Sequence, residues 1–112
     1  MNKALTSKDS AVIIKSSGRL DSYTAADLQS QLEHAIDNQP PFVAVDLSQV
    51  EFVDSRALAV IVQGMHNCRT NQIDFCILGP NASVRRILEL TRLDKAINIF
   101  TNSDEATQYF RS

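Results

Sequence analysis

The chain has 112 residues, 44% hydrophobic and 21% charged, with a formal net charge of −2. That length predicts a single domain spanning residues 1–112, burying roughly two-thirds of the surface its unfolded chain exposes. Scattered lysines and arginines at near-neutral charge give no footprint for nucleic acid. With no run near eighteen apolar residues and no apolar core at the amino terminus, a cytoplasmic protein without membrane insertion is expected.

Val12-Ile13-Ile14-Lys15 is a β-branched run halted by Ser16-Ser17-Gly18, which predicts a strand, paired with a weaker one near residues 3–8. Thr24 with Asp27 three residues on resembles a capping box. Ala25, Leu28, Leu32, Ala35 and Ile36 then recur at helical spacing, and the helix should end near Asp37-Asn38. Gln39-Pro40-Pro41 cannot continue it. Residues 42–47 read as a strand buried on both faces, hence central. After Asp54-Ser55 a helix to about Cys68 is expected, with Leu58, Ile61, Val62 and Met65 facing the core and Ala59, Gln63 and His66 opposite. Asn71-Gln72 marks a turn, residues 73–78 a strand, and Gly79-Pro80-Asn81 a break before a helix with Val84, Ile87, Leu88 and Thr91 on one side. Residues 97–100 form a last short strand, and Asn102-Ser103-Asp104-Glu105 starts a closing helix through Phe110.

Strands alternating with helices imply right-handed crossovers. The fold class is therefore α/β, a mixed, mostly parallel sheet of four to five strands, the early hairpin supplying an antiparallel edge. Sites in such sheets lie beyond the carboxyl ends of the strands. Leu20-Asp21-Ser22 and Val53-Asp54-Ser55-Arg56 both precede helices and are expected to converge on one surface, with Gly79-Pro80-Asn81 a third candidate for that rim. Ser55 falls where helix N–H groups lack partners and the macrodipole is positive, so an added phosphate is tolerated there.

Other chemistries lack their parts. Nucleophilic catalysis by Ser55 needs a base held in reach, and the two histidines, His34 and His66, lie far from the starts of their own helices. No Gly-x-Ser-x-Gly elbow and no phosphate loop occurs, so neither hydrolase nor nucleotidase chemistry is expected. Cys68 and Cys76 lack metal-ligand spacing, and Cys76 sits in the apolar run Phe75-Cys76-Ile77-Leu78, where packing explains it. Asp46 suggests the phosphoryl-accepting aspartate of receiver domains. The acidic pair and lysine that chemistry requires are replaced by Lys15-Ser16-Ser17-Gly18 and Phe100-Thr101-Asn102, so Asp46 reads as a strand-end or turn residue. No cofactor and no metal is expected.

Gly18-Arg19-Leu20-Asp21 with Thr24, then Val45-Asp46-Leu47-Ser48 and Val50-Glu51-Phe52-Val53-Asp54-Ser55-Arg56-Ala57-Leu58, resembles the STAS domain of anti-sigma factor antagonists. Gly79-Pro80-Asn81 and Leu90-Thr91-Arg92-Leu93 are also similar. The resemblance implies helices packed mainly on one side of the sheet and no catalysis by the domain. It implies binding to an anti-sigma factor that is an ATP-binding serine kinase, release on phosphorylation of Ser55, and resetting by a phosphatase of the PP2C type. The surface it implies comprises Asp21, Ser22, Thr24, Asp54, Ser55, Arg56, Ala59 and Gln63. Family members commonly follow the acceptor serine with a small hydroxyl residue and glycine, where this chain has Arg56 and Ala57. The alternative is a constitutive module of the same fold, a scaffold subunit or transport-complex accessory, in which Arg56 holds a fixed partner. A third class, a phosphotransfer enzyme accepting on Cys76 or Asp46, predicts a thiol-linked or acid-labile phosphate. Oligomeric state is left open.

Overall fold

The computed structural model describes residues 10–111. Four strands, β1 (Val12–Leu20), β2 (Phe42–Val53), β3 (Asp74–Leu78) and β4 (Asn98–Phe100), form one sheet in the order β1-β2-β3-β4, and every pairing is parallel. Between and after them run α1 (Ser22–Asp37), α2 (Ser55–Thr70), α3 (Ala82–Leu90), the single turn α4 (Leu93–Ala96) and α5 (Ser103–Arg111). The expected early strand near residues 3–8, and with it the antiparallel edge, lies outside the described residues.

Alternation along the strands sorts side chains into two layers. Val43, Val45, Leu47 and Ile77 face the larger core with Leu28, Leu32, Ile61, Val84 and Leu88 of α1, α2 and α3. Phe42, Ala44, Cys76 and Leu78 face the other way, against Ala106 of α5 and the half-buried Phe100 and Phe110. Both faces of β2 are thus covered near its start, which is why that segment reads as an unbroken apolar run. α1 buries all five residues of its expected stripe. Burial of each large one contributes about 1.5–3 kcal/mol, against about 1 kcal/mol for a helix cap, so packing fixes where the helix lies and the cap fixes where it begins.

Several boundaries differ from the sequence expectation. β1 runs through Ser16-Ser17-Gly18 to Leu20, and β2 runs past Leu47 to Val53, because the two strands pair with each other along this whole stretch. Asp46 therefore lies within a strand; its Oδ1 accepts from the Ser48 N–H at 2.9 Å beside a register shift in the ladder. On α2 the buried stripe is Ala57, Val60, Ile61, Gly64, Met65 and Cys68, while Leu58 and Val62 are half-buried at its edge. The rotation follows from Gly64, whose bare Cα admits Leu32 of α1; a Cβ there would stand 2.9 Å from Leu32 Cδ1. Thr91 caps the end of α3, its hydroxyl donating to the Ile87 carbonyl at 2.8 Å, and is exposed rather than part of the apolar side. α4 was not anticipated.

Candidate functional site

Leu20 and Val53 are the last paired residues of β1 and β2, and a helix cap follows each at once. The Asp54 N–H donates to the Leu20 carbonyl at 3.0 Å, locking the two junctions side by side. The expected convergence of the Asp21 and Asp54 segments is therefore present, and it is produced by strand register. Gly79-Pro80-Asn81 joins less closely. Asn81 caps α3 through its Oδ1, and its Nδ2 donates to the Val50 carbonyl at 3.0 Å, three residues short of the β2 end and so about 10 Å back along the strand.

The first junction is closed by hydrogen bonds. Asp21, not Thr24, is the cap of α1: its Oδ1 accepts from the Tyr23 and Thr24 N–H groups at 3.0 and 3.2 Å. Thr24 completes the box, its hydroxyl accepting from the Asp21 N–H at 3.0 Å and donating to the Arg19 carbonyl at 2.8 Å. Asp27, expected as the second half of the box, instead accepts from Gln31 along the exposed helix surface. The Thr24 and Tyr23 N–H groups, with the nearby Arg19 charge, favour the ionised Asp21 carboxyl and hold it below the usual carboxylate range despite partial desolvation.

At the second junction Asp54 is half-buried and caps α2 with one bond, Oδ1 accepting from the Ala57 N–H at 2.9 Å. Ser55 opens the helix, exposed, and its hydroxyl has no hydrogen-bond partner among the described residues. Arg56 is exposed and makes no ion pair among the described residues. Ser22 is exposed beside the Asp21 cap, and Ala59 and Gln63 lie on the outward face of α2, where Gln63 donates to Asn67 at 3.3 Å. The eight residues thus occupy one rim and the helix face that rises from it. Asp46, Cys68 and Cys76 are elsewhere. Burial pushes the Cys68 thiol up to about 11 and, with help from the Asp74 charge, the Cys76 thiol up to about 12, so neither supplies a thiolate near neutral pH.

The rim also holds a feature that pattern reading missed. Arg19 and Phe52 face each other across the strands, with the guanidinium carbon 4.3 Å from the ring centroid. Gly18 within a strand is the one sequence signal for the irregularity that brings them together. Tyr23, just inside α1, is 89% exposed.

Chemically, the rim offers a free hydroxyl at a helix start, flanked by carboxylates and cations. It brings no histidine to Ser55, since His34 and His66 are both exposed and late in their helices. Comparison with known proteins places the chain in a family. A Thermotoga maritima protein provisionally named an anti-sigma factor antagonist is 37% identical over 65 residues, 58% of each chain, so the chain spans little more than half of that relative's length. A Staphylococcus aureus anti-sigma-B factor antagonist is 26% identical over 99 residues, 88% of this chain and 92% of the relative. Among solved structures, a Thermotoga maritima protein provisionally described as an anti-sigma factor antagonist superposes with a TM-score of 0.85 at 27% identity, covering 91% of this chain and 88% of that one. The family model of the STAS domain matches residues 2–106, spanning both helix junctions, and the chain belongs to the STAS domain family.

Proposed function

We propose that this protein is a regulatory binding protein of the anti-sigma factor antagonist kind, acting through the rim formed by the Asp21 and Asp54 junctions. Its partner is an anti-sigma factor of the ATP-binding serine-kinase type, held by Asp21, Ser22, Thr24, Asp54, Arg56, Ala59 and Gln63. Phosphorylation of Ser55 releases it, and a phosphatase of the PP2C type restores binding. The observation that carries this reading is the Ser55 hydroxyl, exposed and unengaged among the described residues at the first position of α2. The names of relatives across most of the chain support the same role.

Phosphate adds about −1.5 to −2 charges, which the helix start tolerates, so the fold survives modification. Arg19 and Arg56 offset Asp21 and Asp54 in charge, so the added phosphate turns the rim anionic. Repulsion from an acidic partner surface worth roughly 2–3 kcal/mol lowers affinity on the order of 30- to 150-fold. The test is affinity capture from source-cell lysate with wild type and Ser55→Asp, with mass spectrometry of bound proteins and of peptides containing Ser55. An ATP-binding kinase retained by wild type alone, with phosphate on Ser55, is the expected result. A partner held equally by both, with Ser55 unmodified, defeats the switch.

One observation favours a second reading. Arg56, exposed and without an ion pair among the described residues, is placed to hold a fixed acidic partner with no part for Ser55. A constitutive scaffold or transport-complex accessory would lose its partner on Arg56→Ala and keep it on Ser55→Asp.

A further inference from the structure

Ser55 is exposed, but the chain on either side of it is held down. Two residues before it, Val53 is 4% exposed, pairs with Leu20 and faces the larger core. Two residues after it, Ala57 is fully buried in the same core, followed by Val60 and Ile61. The backbone between is tied at both ends. The Asp54 N–H donates to the Leu20 carbonyl at 3.0 Å, the Asp54 carboxylate accepts from the Ala57 N–H at 2.9 Å, and the Leu58 N–H donates to the Asp54 carbonyl at 3.0 Å. Of residues 53–57, Ser55 and Arg56 alone are exposed.

An enzyme that binds its acceptor as an extended stretch of chain needs the backbone on both sides of the serine free to straighten and pair. Straightening residues 53–57 would break all three hydrogen bonds and withdraw Val53 and Ala57 from the core. Val53 is also one half of the strand-end pair from which both helix starts hang, so this opening undoes the rim rather than one turn. The lost cap and the lost burial of Val53 alone make the straightened state rarer than the closed one on the order of 100-fold or more. Ala57 tightens the start further, being the strongest helix former at the third position of α2. Glycine there would open the start about 5-fold more often.

We propose that Ser55 is phosphorylated only in its folded setting: the kinase docks on the rim and takes the serine as the first residue of an intact helix, and enzymes that read an extended sequence around their acceptor pass it by. The Ser55 Oγ attacks the γ-phosphorus of ATP, and the new O–P bond forms as the bond from that phosphorus to the β–γ bridging oxygen breaks. ADP leaves with the electron pair, and the hydroxyl proton passes to a base of the kinase. This rests on the partner-switching reading and deepens it: a chain that has not yet folded is not marked for release.

The experiment incubates the proteins that immobilised wild type captures from source-cell lysate with ATP and one of three full-length acceptors: wild type, Leu28→Asp and Ala57→Gly. Leu28→Asp sets a carboxylate in the core and unfolds the chain while leaving the sequence around Ser55 intact, which circular dichroism checks. Mass spectrometry reads the rate at which phosphate appears on Ser55. Wild type should be phosphorylated, Leu28→Asp at least about 50-fold more slowly, and Ala57→Gly no faster than wild type. If Leu28→Asp keeps its fold, Ala57→Gly decides alone. Unfolded Leu28→Asp modified at the wild-type rate, or Ala57→Gly modified about 5-fold faster, overturns the need for the folded setting and leaves the switch standing. No phosphate on Ser55 of wild type overturns both.

Discussion

The two helix starts that share the rim are near copies in backbone and in their Asp-Ser step, and differ in what closes the cap. Each follows the last residue of a strand, each is capped by an aspartate, and the two hang from the same Leu20–Val53 pair. At α1 the cap is a closed box in which the Thr24 hydroxyl is engaged on two sides. At α2 the cap is one bond to Ala57, and the neighbouring hydroxyl, Ser55, is engaged by nothing among the described residues. Both starts also carry a serine directly after the aspartate, Ser22 and Ser55, each exposed and with no hydrogen-bond partner among the described residues. The difference lies three residues past the aspartate, where α1 has the Thr24 hydroxyl and α2 has Ala57. A hydroxyl at the third position reaches back to the cap backbone and becomes structure. At the first position, held by Ser22 and Ser55 alike, it is exposed instead.

The largest expected effect tests whether the two first-position serines differ in binding, by placing one substitution at both starts. Ser55→Asp should lower affinity for the kinase partner on the order of 30- to 150-fold, while Ser22→Asp, at the equivalent position of α1, should change it by less than about 5-fold, as charges at an interface rim do. Titration of purified partner by calorimetry checks both, and equal losses would erase the distinction. Gly64→Ala acts on the packing that holds the two helices side by side. The new Cβ would press on the buried Leu32 Cδ1 at 2.9 Å. Overpacking of about 1–3 kcal/mol, offset by about 1 kcal/mol of helix propensity, predicts a net loss of about 1 kcal/mol in urea unfolding.

How much of this was legible in the sequence follows the same division between local and non-local causes. The α1 stripe of Ala25, Leu28, Leu32, Ala35 and Ile36 was readable because burial of a helix on a sheet leaves a periodic trace. So was the two-faced burial of β2 at Val43, Ala44 and Val45. Leu58 and Val62 do pack against the core, from the edge of the buried stripe, whereas Ala57 and Gly64 at its centre were not legible, because the close approach that small residues allow leaves no apolar signature. The long β1–β2 arm was missed for a related reason. Ser16, Ser17, Ser48 and Gln49 look like a break, yet backbone pairing carries them through, helped by register shifts that only the partner strand reveals. The Asp54-Ser55 step was visible as a motif, whereas the Arg19–Phe52 contact depends on a bulge and was not.

A smaller effect separates the hydroxyls by stability instead of binding. Thr24→Ala removes a donor and acceptor that join β1 to α1, and should cost about 1 kcal/mol. Ser55→Ala removes a hydroxyl with no partner among the described residues and should stay within about 0.5 kcal/mol. Paired urea midpoints measure the difference, and a Ser55→Ala loss as large as that of Thr24→Ala would mean that Ser55 is structural after all.

The subtlest comparison is in acid. The Asp21 carboxyl is held below its ordinary range chiefly by the Thr24 N–H, so the folded state releases its proton more readily than the unfolded state does. Stability from this group is thus fully present above the unfolded value and is lost as pH falls through the folded one, a window below about pH 4. Asp21→Asn retains an oxygen able to cap α1 but cannot titrate. Its melting temperature should therefore fall less than that of wild type between about pH 5 and about pH 3, with the other carboxylates titrating alike in both proteins. Parallel falls would show that the ionised form of Asp21 gains nothing from the box, and that the closed junction is held by geometry alone.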